Sequence, residues 1–417
     1  MTSSCKNSSL PAATNKDAMV MNYLPDDVLR NDIFIRLPAK QLALLRSLSK
    51  TWNLVLSDSS FIKSHLHHSI HNKQDDNQTE IIAFYFAFLD DTSGTYFTLN
   101  ASRSSYQEHC NYIKLPPSGW HYVIGSVNGL ICFWNYNDVY LWNPCLSSAL
   151  IPISDSNNTP NISESRLDHS DLRFGFDPKT DDYKVVMVRY YYKMTQVPHQ
   201  IIDEWLPVEV YSVRKGCWES ITAKFPSHIN AINGKHVLGD GYDGRVHWLC
   251  DVDDPNNNNI KETIVAFDLN LEIFTEISLP PDIVKCTRKR TNVLGVLFQK
   301  ICVMSCINGG DCEVWVMEDY GVATSWVKRV LSTLYNRDPD LVGFSLRGDL
   351  LIRCRDHGLI LYDPNTDRVK LLNTRLIDKF IRISHFADYV DSLVWPVAPR
   401  GKNRVSNSAS RLQVEKE

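Results

Sequence analysis

Gly239-Asp240-Gly241-Tyr242-Asp243-Gly244 has the G-x-G-x-x-G spacing with which a backbone wraps a pyrophosphate. That chemistry needs a helix directly after the last glycine, because the amides of a helix N-terminus bind the phosphates. Arg245-Val246-His247-Trp248-Leu249 instead alternates like a strand, so the run is expected to be a glycine-rich hairpin turn. Gly125-Ser126-Val127-Asn128-Gly129 places its serine one position too early for a nucleophile elbow. Cys302, Cys306 and Cys312 have loose spacing and no neighbouring histidine, which favours buried strand cysteines over a zinc site. Asp251, Asp253 and Asp254 do not follow a calcium-loop pattern, and His247 beside Trp248 reads as a core or interface histidine. No coherent acid, base and nucleophile set is present. The expectation is a non-enzyme with no cofactor and no metal.

One stretch has the residue types of a binding surface. Arg189-Tyr190-Tyr191-Tyr192-Lys193-Met194 runs into Gln200-Ile201-Ile202-Asp203-Glu204-Trp205, and Tyr and Trp supply contact area at low entropic cost. Tyr190, Tyr191, Tyr192 and Trp205 are therefore candidate binding residues. The alternative is that the tyrosines continue a strand with one face buried.

These residues sit in an ordinary globular composition. The chain has 417 residues, 43% hydrophobic, with a formal net charge of −4. Near-neutral charge without a long basic block argues against a nucleic-acid or membrane-surface protein. The one basic cluster, Lys285 to Arg290, reads as a solvated loop. Eleven cysteines, an odd and scattered set, imply no disulfide framework. The longest apolar run, Ile81 to Leu89, is far below the ~18 residues that span a bilayer. The reading is an intracellular protein of the cytoplasm or nucleus, with no membrane partner.

Residues 1–21 are polar and expected to be disordered, as is the tail 400–417. Between them the pattern changes once. Over 22–70 apolar residues recur at helical spacing; over 81–399 short runs of Val, Ile, Leu and aromatics are broken by Gly, Pro, Asn and Asp. The polar segment 71–80 reads as a linker, and Ser154 to Ser170 and Asp251 to Glu262 as long surface loops. In the helical part, Pro25-Asp26-Asp27 suits a helix start, Pro38 a stop, and Ser49 an N-cap for a helix carrying Trp52. Three helices in under 50 residues bury little, so this unit needs a neighbour or partner.

The β part is repetitive. Trp142, Tyr211, Phe267, Trp315 and Tyr362 mark strands of one type, at spacings of 69, 56, 48 and 47 residues. The last spacings approach the ~40–50 residues of a four-stranded propeller blade. With Ile81 to Leu99 and a closing strand at Ser392 to Pro396, about six blades are expected. An array of immunoglobulin-like sandwiches is the competing architecture. The fold class is thus multidomain α plus all-β.

Leu24-Pro25-Asp26-Asp27-Val28-Leu29, Ile33 to Lys40, Leu45 to Trp52 and Phe61 to Leu66 resemble the F-box as plant proteins carry it. The resemblance implies binding to a Skp1-like adaptor and through it a cullin. By position it places Leu24, Pro25, Val28, Leu29, Ile33, Leu37, Pro38, Leu42, Leu45 and Trp52 at that interface or just behind it. Between Leu29 and Ile33 there is one residue more than the usual spacing, which is expected to twist or bulge the first helix. Trp142-Asn143-Pro144, Phe174 to Val186, Val210-Tyr211-Ser212 with Trp218, and His247-Trp248-Leu249 resemble the F-box-associated (type 1, kelch-like) interaction domain. Together these imply a substrate-recognition subunit of an SCF-type ubiquitin ligase that holds a protein substrate. A plain F-box scaffold, or a propeller lectin or enzyme with an accessory helical domain, are the other readings.

Overall fold

The computed structural model describes residues 25–75, 78–87, 95–102, 110–114, 122–135, 138–146, 151–153, 167–194, 200–233, 241, 243–254, 259–284, 290–307, 312–330, 339–345, 348–354, 358–366, 368–371, 381–388 and 390–395. The two termini expected to be disordered lie outside these residues.

The helical part begins with a segment of three geometries. Asp26–Val28 is α-helical, Leu29–Ile33 is a π-helix, and Phe34–Arg36 is a 3-10 turn. The Phe34 amide donates to the Leu29 carbonyl, an i→i+5 bond. A π-turn takes up one added residue without breaking the helix, and it lies at Leu29–Ile33, where the sequence reading expects a twist or bulge. Leu37 then turns extended, at ψ 143°, as a residue before proline does. The next helix, Ala39–Leu48, starts directly after Pro38, whose carbonyl accepts from Leu42 at 3.1 Å. Ser49 caps Lys50–Leu56 by accepting from the Trp52 amide. The last helix, Ser59–Asp75, runs into the segment expected to be a linker, and the first strand starts at Gln78.

Among the described residues the strands form six antiparallel sheets, and the sandwich alternative finds no support in their connectivity. Five are built from consecutive strands. They are Tyr122–Val127 to Ile151–Ile153, Leu167–Asp177 to Cys217–Ser220, Ile229–Asn233 to Ile273–Ser278, Arg290–Leu297 to Trp326–Val330, and Pro339–Phe344 to Arg368–Leu371. The remaining sheet joins both ends of the domain: Ile381–Asp388 pairs with Gln78–Ala87, followed by Thr95–Ser102 and Cys110–Lys114. The closing strand is thus Ile381–Asp388, whereas 392–395, where a closing strand was expected, is not strand. Arg245–Asp254 pairs with Asn259–Asp268 over its whole length, up to Asp254 with Asn259, so 251–254 and 259–262 are strand and not a long loop.

The five marker aromatics all lie on equivalent strands, and all are buried. Among the described residues, four interfaces between neighbouring sheets are apolar seams. Leu130, Cys132 and Leu141 pack with Phe174, Val185 and Tyr211; Val186 and Val210 with Trp248 and Phe267; Leu249 and Ile264 with Val303 and Trp315; Met304 and Val314 with Leu350 and Tyr362. Each such side chain contributes about 1.5–3 kcal/mol on burial, so the sheets are stable only as a stack.

Candidate functional site

The helical unit is not a free appendage. Phe34, Ala39, Leu42, Leu56 and Phe61 form one buried cluster with Cys145 and Leu393 of the β domain. The buried Ala39 amide donates to the Asp391 carboxylate at 2.8 Å, so a side chain 352 positions away caps a helix whose Pro38 has no capping side chain. Lys63 pairs with Asp181 at 3.0 Å. Cys145 follows a third strand, Asp181 sits in a first-to-second strand turn, and Asp391 follows the closing strand. These three positions share one rim of the stacked sheets.

Inside the unit, Trp52 meets Phe34 edge-on at 6.0 Å, Arg30 pairs with Asp58 at 2.9 Å, and His65 Nε2 donates to the Leu37 carbonyl at 2.9 Å. Of the residues read from the sequence, Leu24 lies outside the described residues. Leu42 is fully buried in the joint, and Leu29, Leu37, Leu45 and Trp52 are half-buried against it. Val28 is half-buried, whereas Pro25, Ile33 and Pro38 are exposed. The most open apolar side chains of the unit are ones the motif reading left out: Leu44, Leu48 and Leu54, at 62%, 74% and 75% exposure. Leu44 and Leu48 are four apart on one helix and share a face. The available signal was that Leu44 and Leu48 depart from the face set by Leu42 and Leu45.

The tyrosine-rich stretch forms the far half of the long strand Asp182–Met194 and its partner Gln200–Trp205. Tyr190 and Tyr191 are buried, and Tyr192 and Trp205 half-buried. Trp205 stacks on Phe225 at 4.3 Å and meets Tyr190 at 5.2 Å. Burial and the Asp171 carboxylate raise the Tyr190 phenol well above its ordinary value. Tyr190 and most of Trp205 therefore serve the seam between sheets, and Tyr191 is buried on the other face of its strand. Tyr192, beside His169 at 6.4 Å, is the tyrosine that reaches the open end of the ribbon, away from the helices.

The weaker motifs resolve as packing. Gly241 and Gly244 have positive φ, at 87° and 85°, and lead into a strand and not a helix. A Cβ on Gly241 would lie 2.4 Å from the Phe174 carbonyl, so the glycine is there for close approach. Asn128 and Gly129 form the turn of a hairpin. His247 is buried, with Nε2 2.8 Å from the Tyr320 hydroxyl. Cys302 is buried, and burial pushes its thiol up, while Cys306 and Cys312 are cross-strand neighbours joined as a disulfide. That pair corrects the expectation of unpaired cysteines: hairpin register, not sequence spacing, brings them together. Among the described residues no group of three or more His, Cys, Asp or Glu converges, and no helix is long and apolar enough to cross a membrane.

The model of the F-box associated beta propeller domain matches residues 83–375, well over half of the chain. The chain belongs to the F-box-associated β-propeller family. An F-box/kelch-repeat protein of Arabidopsis thaliana is 27% identical over 329 residues, covering 76% of this chain and 81% of the relative. The F-box protein CPR1 of the same plant is 29% identical over 330 residues, covering 74% and 72%. A further Arabidopsis F-box protein is 24% identical over 397 residues, covering 84% and 87%. As in the sequence reading, the F-box-associated domain is preceded here by a small unit of helices.

Proposed function

We propose that the protein is the substrate-recognition subunit of an SCF-type ubiquitin ligase in the cytoplasm or nucleus. The helical unit docks a Skp1-like adaptor, and through it a cullin, while the β domain holds a protein substrate. The observation that carries this reading is the split character of the helices. One face is sealed onto the propeller by Ala39, Leu42 and Leu393, and the other leaves Leu44, Leu48 and Leu54 open. Three open leucines on so small a unit match a partner surface better than a solvent surface. The adaptor residues proposed are Leu24, Pro25, Val28, Leu29, Ile33, Leu37, Pro38 and Leu45 with these three, and Leu42 and Trp52 act behind the contact.

We also infer a ring of six kelch-like blades. Support comes from Ile381–Asp388, which pairs into the first sheet while lying beside the strands Pro339–Phe344 and Tyr122–Val127. A protein substrate would meet the rim opposite the helices, where Tyr192 and the edge of Trp205 are the candidate contacts. Ubiquitin transfer then follows from proximity: holding a substrate lysine near the charged enzyme raises its effective concentration, with no active-site group needed in this chain.

The test is co-expression with a Skp1-type adaptor beside Leu48→Asp and Leu54→Asp. Because both leucines are exposed, the variants keep the wild-type melting temperature and lose the complex. An equally strong complex in the double variant would refute the assigned face. Adaptor binding without cullin recruitment would instead favour the scaffold reading.

A further inference from the structure

The hairpin of Lys300–Ile307 with Cys312–Met317 has Cys306 and Cys312 directly opposed at one end. Lys300 follows a first-to-second strand turn, as Asp182 does, so the cysteine end lies at the rim opposite the helices. The two α-carbons are 4.2 Å apart, close to the ~4.5 Å of a non-hydrogen-bonded antiparallel pair, where side chains lie nearest each other. The strand register by itself therefore presents one sulfur to the other. That register is also held without them. One residue inward, Arg290 donates to the Ser305 hydroxyl at 3.1 Å and pairs with Glu313 at 3.2 Å, and Lys328 pairs with Glu313 at 2.6 Å. These four side chains come from the four successive strands of the sheet. Cys312 is buried, whereas Cys306 is half-buried and is the sulfur open to attack. Cys302, on the same strand face, is fully buried and opposed by Val316, so it has no sulfur in register. Cys132, Cys217, Cys250 and Cys302 are all thiols.

We propose that Cys306 and Cys312 form a reversible dithiol–disulfide switch that sets how firmly this hairpin end is closed, with glutathione disulfide as oxidant and glutathione as reductant. The Cys306 thiolate attacks one sulfur of glutathione disulfide, forming a mixed disulfide and releasing one glutathione. Cys312 Sγ then attacks Cys306 Sγ, forming the cross-strand bond and releasing the second. Two thiol protons and two electrons leave the protein, and the glutathione disulfide is reduced to two thiols. The partner sulfur is already in place, so the second step is intramolecular and the mixed disulfide does not accumulate. Reduction runs the same steps in reverse. The rim affected is the one on which Tyr192 is the candidate contact. That the thiol form predominates in the cell rests on the proposed cytoplasmic or nuclear function, because such compartments keep thiols reduced; the exchange chemistry does not.

The experiment equilibrates the full chain with anaerobic mixtures of glutathione and glutathione disulfide, then quenches, alkylates and counts the bonded pair by mass spectrometry. Cys306→Ser, Cys312→Ser and, as a control at an exposed thiol elsewhere, Cys217→Ser are run beside it. In wild type and C217S the bonded fraction should rise from about a tenth to about nine-tenths as the squared glutathione concentration over that of its disulfide falls about a hundredfold. Diluting both forms of glutathione tenfold at a fixed ratio should raise the bonded-to-reduced ratio about tenfold, whereas a mixed disulfide on a lone thiol does not respond. C306S and C312S should lose both responses. Hydrogen exchange over Lys300–Ile307 and Cys312–Met317 should be slower in the bonded form, with Arg245–Asp254 unchanged. A pair that stays bonded in about 10 mM glutathione is a fixed structural disulfide, and one that stays reduced in equimolar glutathione disulfide is inert. Either result, or equal hydrogen exchange in the two forms, would overturn the proposal.

Discussion

Asp391→Ala is the sharpest test of the joint between helices and blades. Asp391 accepts from the Ala39 amide at 2.8 Å, and Ala39 is fully buried, so removing the carboxylate takes the acceptor from an N–H at a buried helix start. An orphaned buried donor costs about 1–3 kcal/mol, and the lost negative charge at a helix start adds about 0.3–1 kcal/mol to it. A working value is about 2 kcal/mol, which raises the open population of the Ala39–Leu48 helix about 30-fold. Asp391→Asn keeps an oxygen acceptor and loses only the charge, so it should cost about 0.5–1 kcal/mol. Hydrogen exchange read on peptides covering 39–48 should accelerate in D391A, less in D391N, while peptides of the Lys300–Ile307 strand stay as in the wild type. Unchanged exchange over 39–48 in D391A, or equal acceleration in the two variants, would refute the capping argument.

Leu393→Ala empties part of the same joint, where Leu393 is fully buried, and should lower stability by about 2–5 kcal/mol in urea unfolding. Combined with D391A, the loss should fall short of the sum, because both act on one interface. Gly295→Ala would put a Cβ 2.0 Å from the Phe344 ring, so overpacking of about 1–3 kcal/mol is expected as a lower melting temperature; a neutral outcome would mean that the seam yields. Burial opposes ionisation of Asp177, yet hydrogen bonds from Thr180 and Lys184 and from the Lys179 amide outweigh it and hold the carboxyl below its ordinary 3.8. Its folded value being depressed, that stabilisation is full above the unfolded value and is lost as pH falls through the folded one. Asp177→Asn should therefore flatten the acid limb of a stability–pH curve below about pH 4, and an unchanged limb would count against the assignment. Tyr192→Ala should leave the melting temperature near wild type while Tyr190→Ala lowers it clearly; the reverse order would show that their burial is misassigned.

The blades were legible because their signal is periodic. Aromatics such as Phe267 and Tyr362 recur on equivalent strands, and the seams they fill need a large apolar group at that register and no other. The inserted residue after Leu29 was also visible as a spacing fault. That a π-turn lies there depends on Phe34 and Leu29 both packing into the joint, which is tertiary information. The contacts of Asp391 and Leu393 with Ala39 and Leu42 were illegible for the same reason, since nothing local couples positions some 350 residues apart. Tyr190 looked like a binding residue because chemistry alone does not separate a tyrosine that meets a ligand from one that meets Trp205. Leu44 and Leu48 were left off the interface because a motif ranks residues by identity, whereas docking depends on which face the neighbouring domain leaves uncovered.

The joint built from Leu42, Leu393 and the Ala39–Asp391 bond has a mechanical meaning. A bracket of this kind acts as a ruler. Whatever grips the helices and whatever is gripped by the blades are held at a set distance and angle, and thermal motion cannot average that angle away. On the proposed ligase role, lysines of one captive would be selected by reach as well as by affinity, within the arc the bracket allows. Loosening the joint should widen the arc and blur the pattern of marks before it weakens the grip.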